Sequence, residues 1–243
     1  GTAEVYYAAM LSGDQFLMQG FIDKLDFHSY VAKQMFNLPV EVDKVKSIYP
    51  NERQYAKAIT FGIMYQAGPA KIAETVNKDA KEGEGITSAM AKQFIAKYFR
   101  EASKLKRFID NSNSQIESKQ YIYSFFGRKR RLPEAKSPNR GVAQHAIRSG
   151  VNFLVQSVAS DINVLGVVDL VRWIEDNGYD EDIKPFTVVH DSIVSEVRED
   201  LVEEYIKNAK ECIQRDRGLT IPNCPIKVDF EVGPSWGELE DYE

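Results

Sequence analysis

With 243 residues, 43% of them hydrophobic and 28% charged, the chain is long enough to bury one or two cores. No run of about 20 apolar residues occurs, so no membrane span and no membrane partner are expected, and the opening GTAEVYYAAM has none of the basic, apolar and cleavage regions of a signal peptide. A net charge of −5 argues against a simple nucleic-acid coat, although a total hides local patches. The absence of an initiator Met suggests a start that was processed, trimmed or engineered. Cys212 and Cys224 form no metal or redox motif and read as free thiols of a reducing cytoplasm.

Residues 3–12 predict a short helix. "DFHSYVAKQMF" predicts a second, with Asp26 at its N-terminus, where a carboxylate caps well. "EVDKVKSIY" is a third, stopped by Pro50, and residues 51–65 a fourth, broken by "QAGP" at 66–69. The polar, Gly-bearing stretch 77–87 reads as a loop, and 88–118 as a long periodic helical stretch with room for a bend. "YIYSFFGRKRRLP" alternates and breaks at Gly127, as a hairpin does. Residues 140–177 predict one long helix ending at Gly178, "FTVVHDSIVSEV" two β-runs around a tight turn, "EDLVEEYIKNAKECIQ" an amphipathic helix, and "PIKVDFEV" a last strand. A helical block to about 118 and a mixed block from 119 suggest two subdomains rather than two independent domains.

Four segments carry chemistry. In "RQYAKAITFGIMY", Arg53, Lys57, Phe61 and Tyr65 follow one another at four-residue steps and share a helical face. The row fits an amphipathic helix with solvated cations. It equally fits a face that grips a triphosphate and a base: Arg53 on phosphate oxygens, Lys57 nearer the reacting phosphorus and able to donate a proton, Phe61 and Tyr65 offering flat surfaces. Gly62, which costs a helix roughly 1 kcal/mol relative to Ala, calls for close approach of something flat or for helix packing. "VVHDSIVSEV" sets His190 and Asp191 in a turn, where the carboxylate is either an ordinary turn residue or a cation ligand. "FFGRKRR" places Arg128, Lys129, Arg130 and Arg131 beside aromatics, which suits contact with a phosphate backbone. Arg148, Asn152 and Gln156 again step by four, and amides on such a face either meet base edges or satisfy local backbone groups.

Together these segments resemble the family A DNA polymerases, the DNA polymerase I family, particularly a bacteriophage branch. The row from Arg53 to Tyr65 looks like the family's motif B, and "VHD" at 189–191 like its motif C. "FGRKRR", "RSGVNFLVQSVASD" and "VDFEVGPSWGE" follow in the family's order, and "AEVYYAAMLSGD" looks like the tail of motif A. The resemblance covers nearly the whole chain. It implies an α+β fold: a helical fingers subdomain plus a partial antiparallel-sheet palm with flanking helices. Residues 1–25 would begin the palm just after motif A, 26–118 would form the fingers, and 119–243 the rest of the palm. It also implies that Arg53, Lys57, Phe61 and Tyr65 close on the incoming dNTP, with Phe61 discriminating against nucleotides that lack the 3′-hydroxyl. His28 would touch the phosphates and Glu4 would gate the ribose 2′-hydroxyl. Arg128 and Arg130 would track the DNA backbone, and Arg148, Asn152 and Gln156 the minor groove of the primer-template. His190 would stand near the primer terminus, and Asp191 would be one of two carboxylates holding two Mg²⁺ ions, with Mn²⁺ possible, about 3.5–4 Å apart.

The chain departs from the family at Gln66, where Gly usually follows the motif B tyrosine, and at Ser192, where Glu usually follows the motif C Asp. The family's first metal-binding Asp falls two residues before the position of Gly1, and the thumb, any exonuclease domain and the motif A strand are also missing. One carboxylate cannot clamp two divalent cations, so the chain alone is expected to be inactive. The leading expectation is the C-terminal part of a split polymerase, whose second fragment supplies the motif A Asp, the thumb and perhaps an exonuclease, and which works in a host cytoplasm. The break could come from separate genes, a split intein beside Thr2, proteolysis or deliberate engineering of the chain. The rivals are an inactive polymerase-like DNA-binding subunit and a helical scaffold with chance motifs.

Overall fold

The computed structural model describes residues 2–78, 80 and 85–242. They form two compact units: Gly1–Gln156 with Ile221–Cys224, and Ser157–Thr220 with Pro225–Glu243. The division falls inside the long helix, whereas the change in composition lies near residue 118.

The first unit opens with α1 (Thr2–Ser12), whose residues Val5 to Met10 are all buried. A helix apolar on every side belongs inside a core, and α1 packs on α2 (Gln15–Ile22), α5 (Pro50–Met64) and α8 (Ser103–Lys119). Asp14, 2% exposed, caps α2 by accepting from the Leu17 N–H. Its other oxygen accepts from the Lys104 and Leu105 N–H groups at the start of α8. The stretch 88–118, expected to be helical with room for a bend, is two helices, α7 (Ser88–Glu101) and α8, that meet at Ala102. In α3 (Phe27–Phe36) the Ser29 N–H donates to Asp26 Oδ2 at 2.9 Å, the cap the sequence predicted.

After α4 (Val42–Ile48), Pro50 opens α5, where its fixed φ and missing N–H do no harm. The helix α6 (Pro69–Lys78) follows and packs on α5 and α7. Only part of the expected loop 77–87 is described: α6 runs on to Lys78, and 80 and 85–87 are irregular. Strands β1 (Tyr121–Tyr123) and β2 (Lys129–Arg131) pair antiparallel as expected, with Gly127 at φ 84 in the turn. The helix α9 (Arg140–Asp176) begins in this unit, where Gly150 lets it approach Ile116 and Leu132: a Cβ there would stand 2.5 Å from each.

The second unit packs the rest of α9 with β3 (Ile183–Val189), β4 (Ser192–Val197) and α10 (Val202–Gln214) around Leu170, Ile174, Ile183, Leu201, Ala209 and Cys212. The strands β3 and β4 form the expected hairpin, with a bulge between Pro185 and Thr187. The predicted last strand is much shorter: β5 is Glu231–Val232, paired with β6 (Glu240–Asp241). A strand extends only as far as a partner runs beside it, and here the register covers two residue pairs.

The chain is thus α+β, mostly helix with three two-stranded antiparallel sheets among the described residues. Both cysteines are free. One helix bears on the question of a membrane. By length and composition α9 could cross one, with mean hydropathy 1.5 over 18 residues, because such a window tolerates the occasional polar residue that breaks an unbroken apolar run. Of that window 44% is buried, and the core helix of a soluble protein passes the same test.

Candidate nucleotide and nucleic-acid site

In the first unit α5 carries Arg53, Lys57 and Phe61, and Tyr65 is its C-cap. Arg53 is held by Asp26: its Nε donates to Oδ2 at 2.7 Å and its Nη2 to Oδ1 at 2.9 Å. Burial pushes the Asp26 pKa up, but the hydrogen bonds from Arg53 and Ser29 outweigh it and hold the carboxyl well below the usual range. Lys57 is exposed. His28, buried on α3, lies against Phe61 with ring centroids 5.5 Å apart. Its Nδ1 has no hydrogen-bond partner among the described residues. Burial lowers its pKa to about 4; Asp26 works the other way, while Arg53 and Lys57 reinforce the drop.

Lys57, Phe61 and Tyr65 line a groove of about 440 Å³ between α5 and α6, with Lys71, Ile72 and Val76 on its other side. Gly62 has a packing reason: a Cβ there would stand 2.4 Å from Ile72 Cγ1. Gln66, where the sequence departs from Gly, has φ 52, a conformation that glycine adopts most easily. Its Oε1 accepts from Asn113 Nδ2 at 3.2 Å, which ties the end of α5 to α8.

At the other edge of Tyr65 a polar cleft of about 410 Å³ is lined by Arg130, His145, Arg148, Ser149, Asn152 and Gln156. Tyr65 donates to Glu4 Oε1 at 3.3 Å, which brings Glu4 on α1 to the same place. Burial and Glu4 together raise the tyrosine pKa, while a hydrogen bond with Gln156 opposes them. Arg130 Nη2 donates to Ser149 Oγ at 2.7 Å. The guanidinium carbons of Arg128 and Arg130 stand 5.8 and 5.5 Å from the Phe153 ring centre, within cation–π range. Ser149, Phe153 and His145 were not singled out from the sequence. Ser149 and Phe153 share a four-residue step on α9, the same spacing that marked Arg148, Asn152 and Gln156.

His190 and Asp191 belong to the second unit. They form the two-residue turn between β3 and β4, with Val189 opposite Ser192 and His190 at φ 56. Both are exposed. Among the described residues no group of three or more His, Cys, Asp or Glu side chains gathers to hold a metal ion.

Residues 2–238 match the sequence model of DNA polymerase family A, and the chain belongs to that family. It is 48% identical over 245 residues to the DNA polymerase of Escherichia phage T5, covering 95% of this chain and 29% of that protein. The thermostable DNA polymerase I of Thermus filiformis is 30% identical, over 98% of this chain and 26% of its own length. Among solved structures, the POL domain of Pol1 from M. smegmatis, in complex with a DNA primer-template and dNTP, superimposes with a TM-score of 0.79 at 26% identity, covering 93% of this chain and 37% of that one. The chain thus spans about a quarter to three tenths of the curated relatives' length.

Proposed function

We propose that the chain is the fingers and palm portion of a template-directed DNA polymerase that transfers nucleotides from dNTPs to a primer 3′-hydroxyl. One observation carries this reading: Tyr65 lines both the groove between α5 and α6 and the polar cleft bearing Arg130 and Arg148. The row that suits a triphosphate and a base therefore ends where a cleft bearing Arg130, Arg148, Asn152 and Gln156 begins. An incoming nucleotide on Arg53, Lys57 and Phe61 would present its base beside Tyr65. The nascent pair would lie along the amides of α9, with Arg128 and Arg130 on the DNA backbone. His28 would meet the phosphates beside Phe61, and Glu4, bonded to Tyr65, would exclude a ribose 2′-hydroxyl. Lys57, exposed and cationic, can stabilise the pyrophosphate leaving group and donate a proton to it. Residues 26–118 are assigned to the fingers, and 1–25 with 119–243 to the palm. The T5 relative supports action in the cytoplasm of a bacterial host.

Divalent cations, two Mg²⁺ with Mn²⁺ admissible, would activate the primer hydroxyl and stabilise the leaving group. Asp191 supplies one carboxylate, with His190 beside it near the primer terminus. The other carboxylate and the thumb lie in a segment beyond these residues, in the same polypeptide or in a second chain. Primer extension tests this with the chain alone, with the chain plus a fragment bearing motif A and the thumb, and with Asp191→Ala in both. Activity only in the mixture, lost with the substitution, is the expected result. Activity of the chain alone would overturn the shared ion site. DNA binding without extension in any mixture would favour an inactive DNA-binding subunit.

A further inference from the structure

We infer that Asp26 is a positioning residue for nucleotide binding, holding Arg53 by one edge of its guanidinium so that the opposite edge faces the terminal phosphate. The inference rests on the proposed polymerase reading. A guanidinium offers donors along two edges, Nε with Nη2 and Nη1 with Nη2. Asp26 takes the first, at 2.7 and 2.9 Å. The pairing with Asp26 leaves Nη1 unengaged, and the Arg53 side chain keeps 22% of its surface. The end-on fork that matches a phosphate is therefore available on a side chain whose torsions are already fixed. The same carboxylate caps α3 through the Ser29 N–H, and α3 carries His28. One acidic side chain thus fixes the helix of one phosphate-binding candidate and the fork of another.

The sign of the effect separates positioning from simple electrostatics. Asp26 places a negative charge near a site for a polyanion, so by Coulomb's law alone its neutralisation should tighten dNTP binding. Positioning predicts the reverse. Asp26→Asn keeps a good helix cap and removes the charge; Asp26→Ser, which also caps, serves if the first variant folds poorly. Both are compared with wild type, Arg53→Ala and the double variant in the assembled polymerase, by single-nucleotide incorporation and by calorimetry with dGTP. The expected result is a KM for dNTP raised about tenfold, kcat changed less than threefold, and no further loss when Asp26→Asn is added to Arg53→Ala. An unchanged or lowered KM, or additive losses, would overturn the inference. If the wild type extends no primer, the polymerase reading fails on its own. The dGTP affinities still decide the role of Asp26, since equal or tighter binding by Asp26→Asn overturns it.

Discussion

The imidazole of His28 lies 5.5 Å from the ring of Phe61, centroid to centroid, across the contact between α3 and α5. Burial there lowers its pKa to about 4, against about 6.5 for an unfolded histidine. Between those values the unfolded chain binds the proton that the folded chain refuses, so stability falls as pH drops from 6.5 to 4. Above pH 6.5 both states are neutral and the histidine adds no slope. Asp26 acts in a separate window: its depressed pKa stabilises the fold above about pH 4 and is lost only as pH falls further. Thermal unfolding followed from pH 8 to 4 should show the midpoint declining below 6.5, with a shallower decline in His28→Gln. An equal decline in both proteins would sink the assignment.

Gly62→Ala should destabilise the protein although alanine is the better helix former. The new Cβ would sit 2.4 and 2.6 Å from Ile72 Cγ1 and Cδ1, and Ile72 is 1% exposed, with little room to yield. Overpacking of this kind costs about 1–3 kcal/mol, against roughly 1 kcal/mol gained in propensity. With both contacts under 3.0 Å the cost belongs in the upper part of that range, about 2–3 kcal/mol, so urea unfolding should show a net loss of about 1–2 kcal/mol. Shortening the partner with Ile72→Val should recover part of it in the double variant. A Gly62→Ala protein as stable as wild type would leave the glycine without a packing role.

Asp14 should matter far more than its place in a short connection suggests. One oxygen serves the start of α2 and the other the start of α8, 90 residues away. Asp14→Ala strips both caps and leaves buried N–H groups unpaired, for an expected loss of about 3 kcal/mol. Asp14→Asn, with one acceptor oxygen, should fall in between. Hydrogen exchange at the Leu17 and Leu105 amides would locate the damage, and unchanged protection at Leu105 would refute the bridging role.

That bridge shows where the sequence could be read and where it could not. Local signals worked where the cause was local: Pro50 stopping α4, Gly127 turning the hairpin, Asp26 capping α3, the four-residue row on α5. A bend was legible between 88 and 118, but not its place at Ala102, where the new helix start is bonded to an aspartate far upstream. Helix α6 did have a local signal, a proline at its first position followed by Ile72 and Val76 on one face. Arg53 reads from the sequence as a candidate cation for a phosphate, but its carboxylate partner is 27 residues away in sequence and only the packing of α3 on α5 brings them together. The same holds for Ser149 and Phe153, whose partners come from the hairpin.

Phe153 provides the test of the proposed DNA contact. Arg128 and Arg130 both approach its ring within cation–π range. Each cation–π contact is worth about 0.5–1 kcal/mol, so Phe153→Leu should weaken primer-template binding by roughly 5- to 30-fold. The charges remain, so the slope of log affinity against log salt should stay as in wild type. Arg130→Ala removes a charge, and its slope should fall by about 1. Fluorescence anisotropy of a labelled primer-template over a salt series separates the two effects. Wild-type affinity in Phe153→Leu would mean the ring does not aim the arginines. Equal slopes in wild type and Arg130→Ala would mean that Arg130 meets no phosphate.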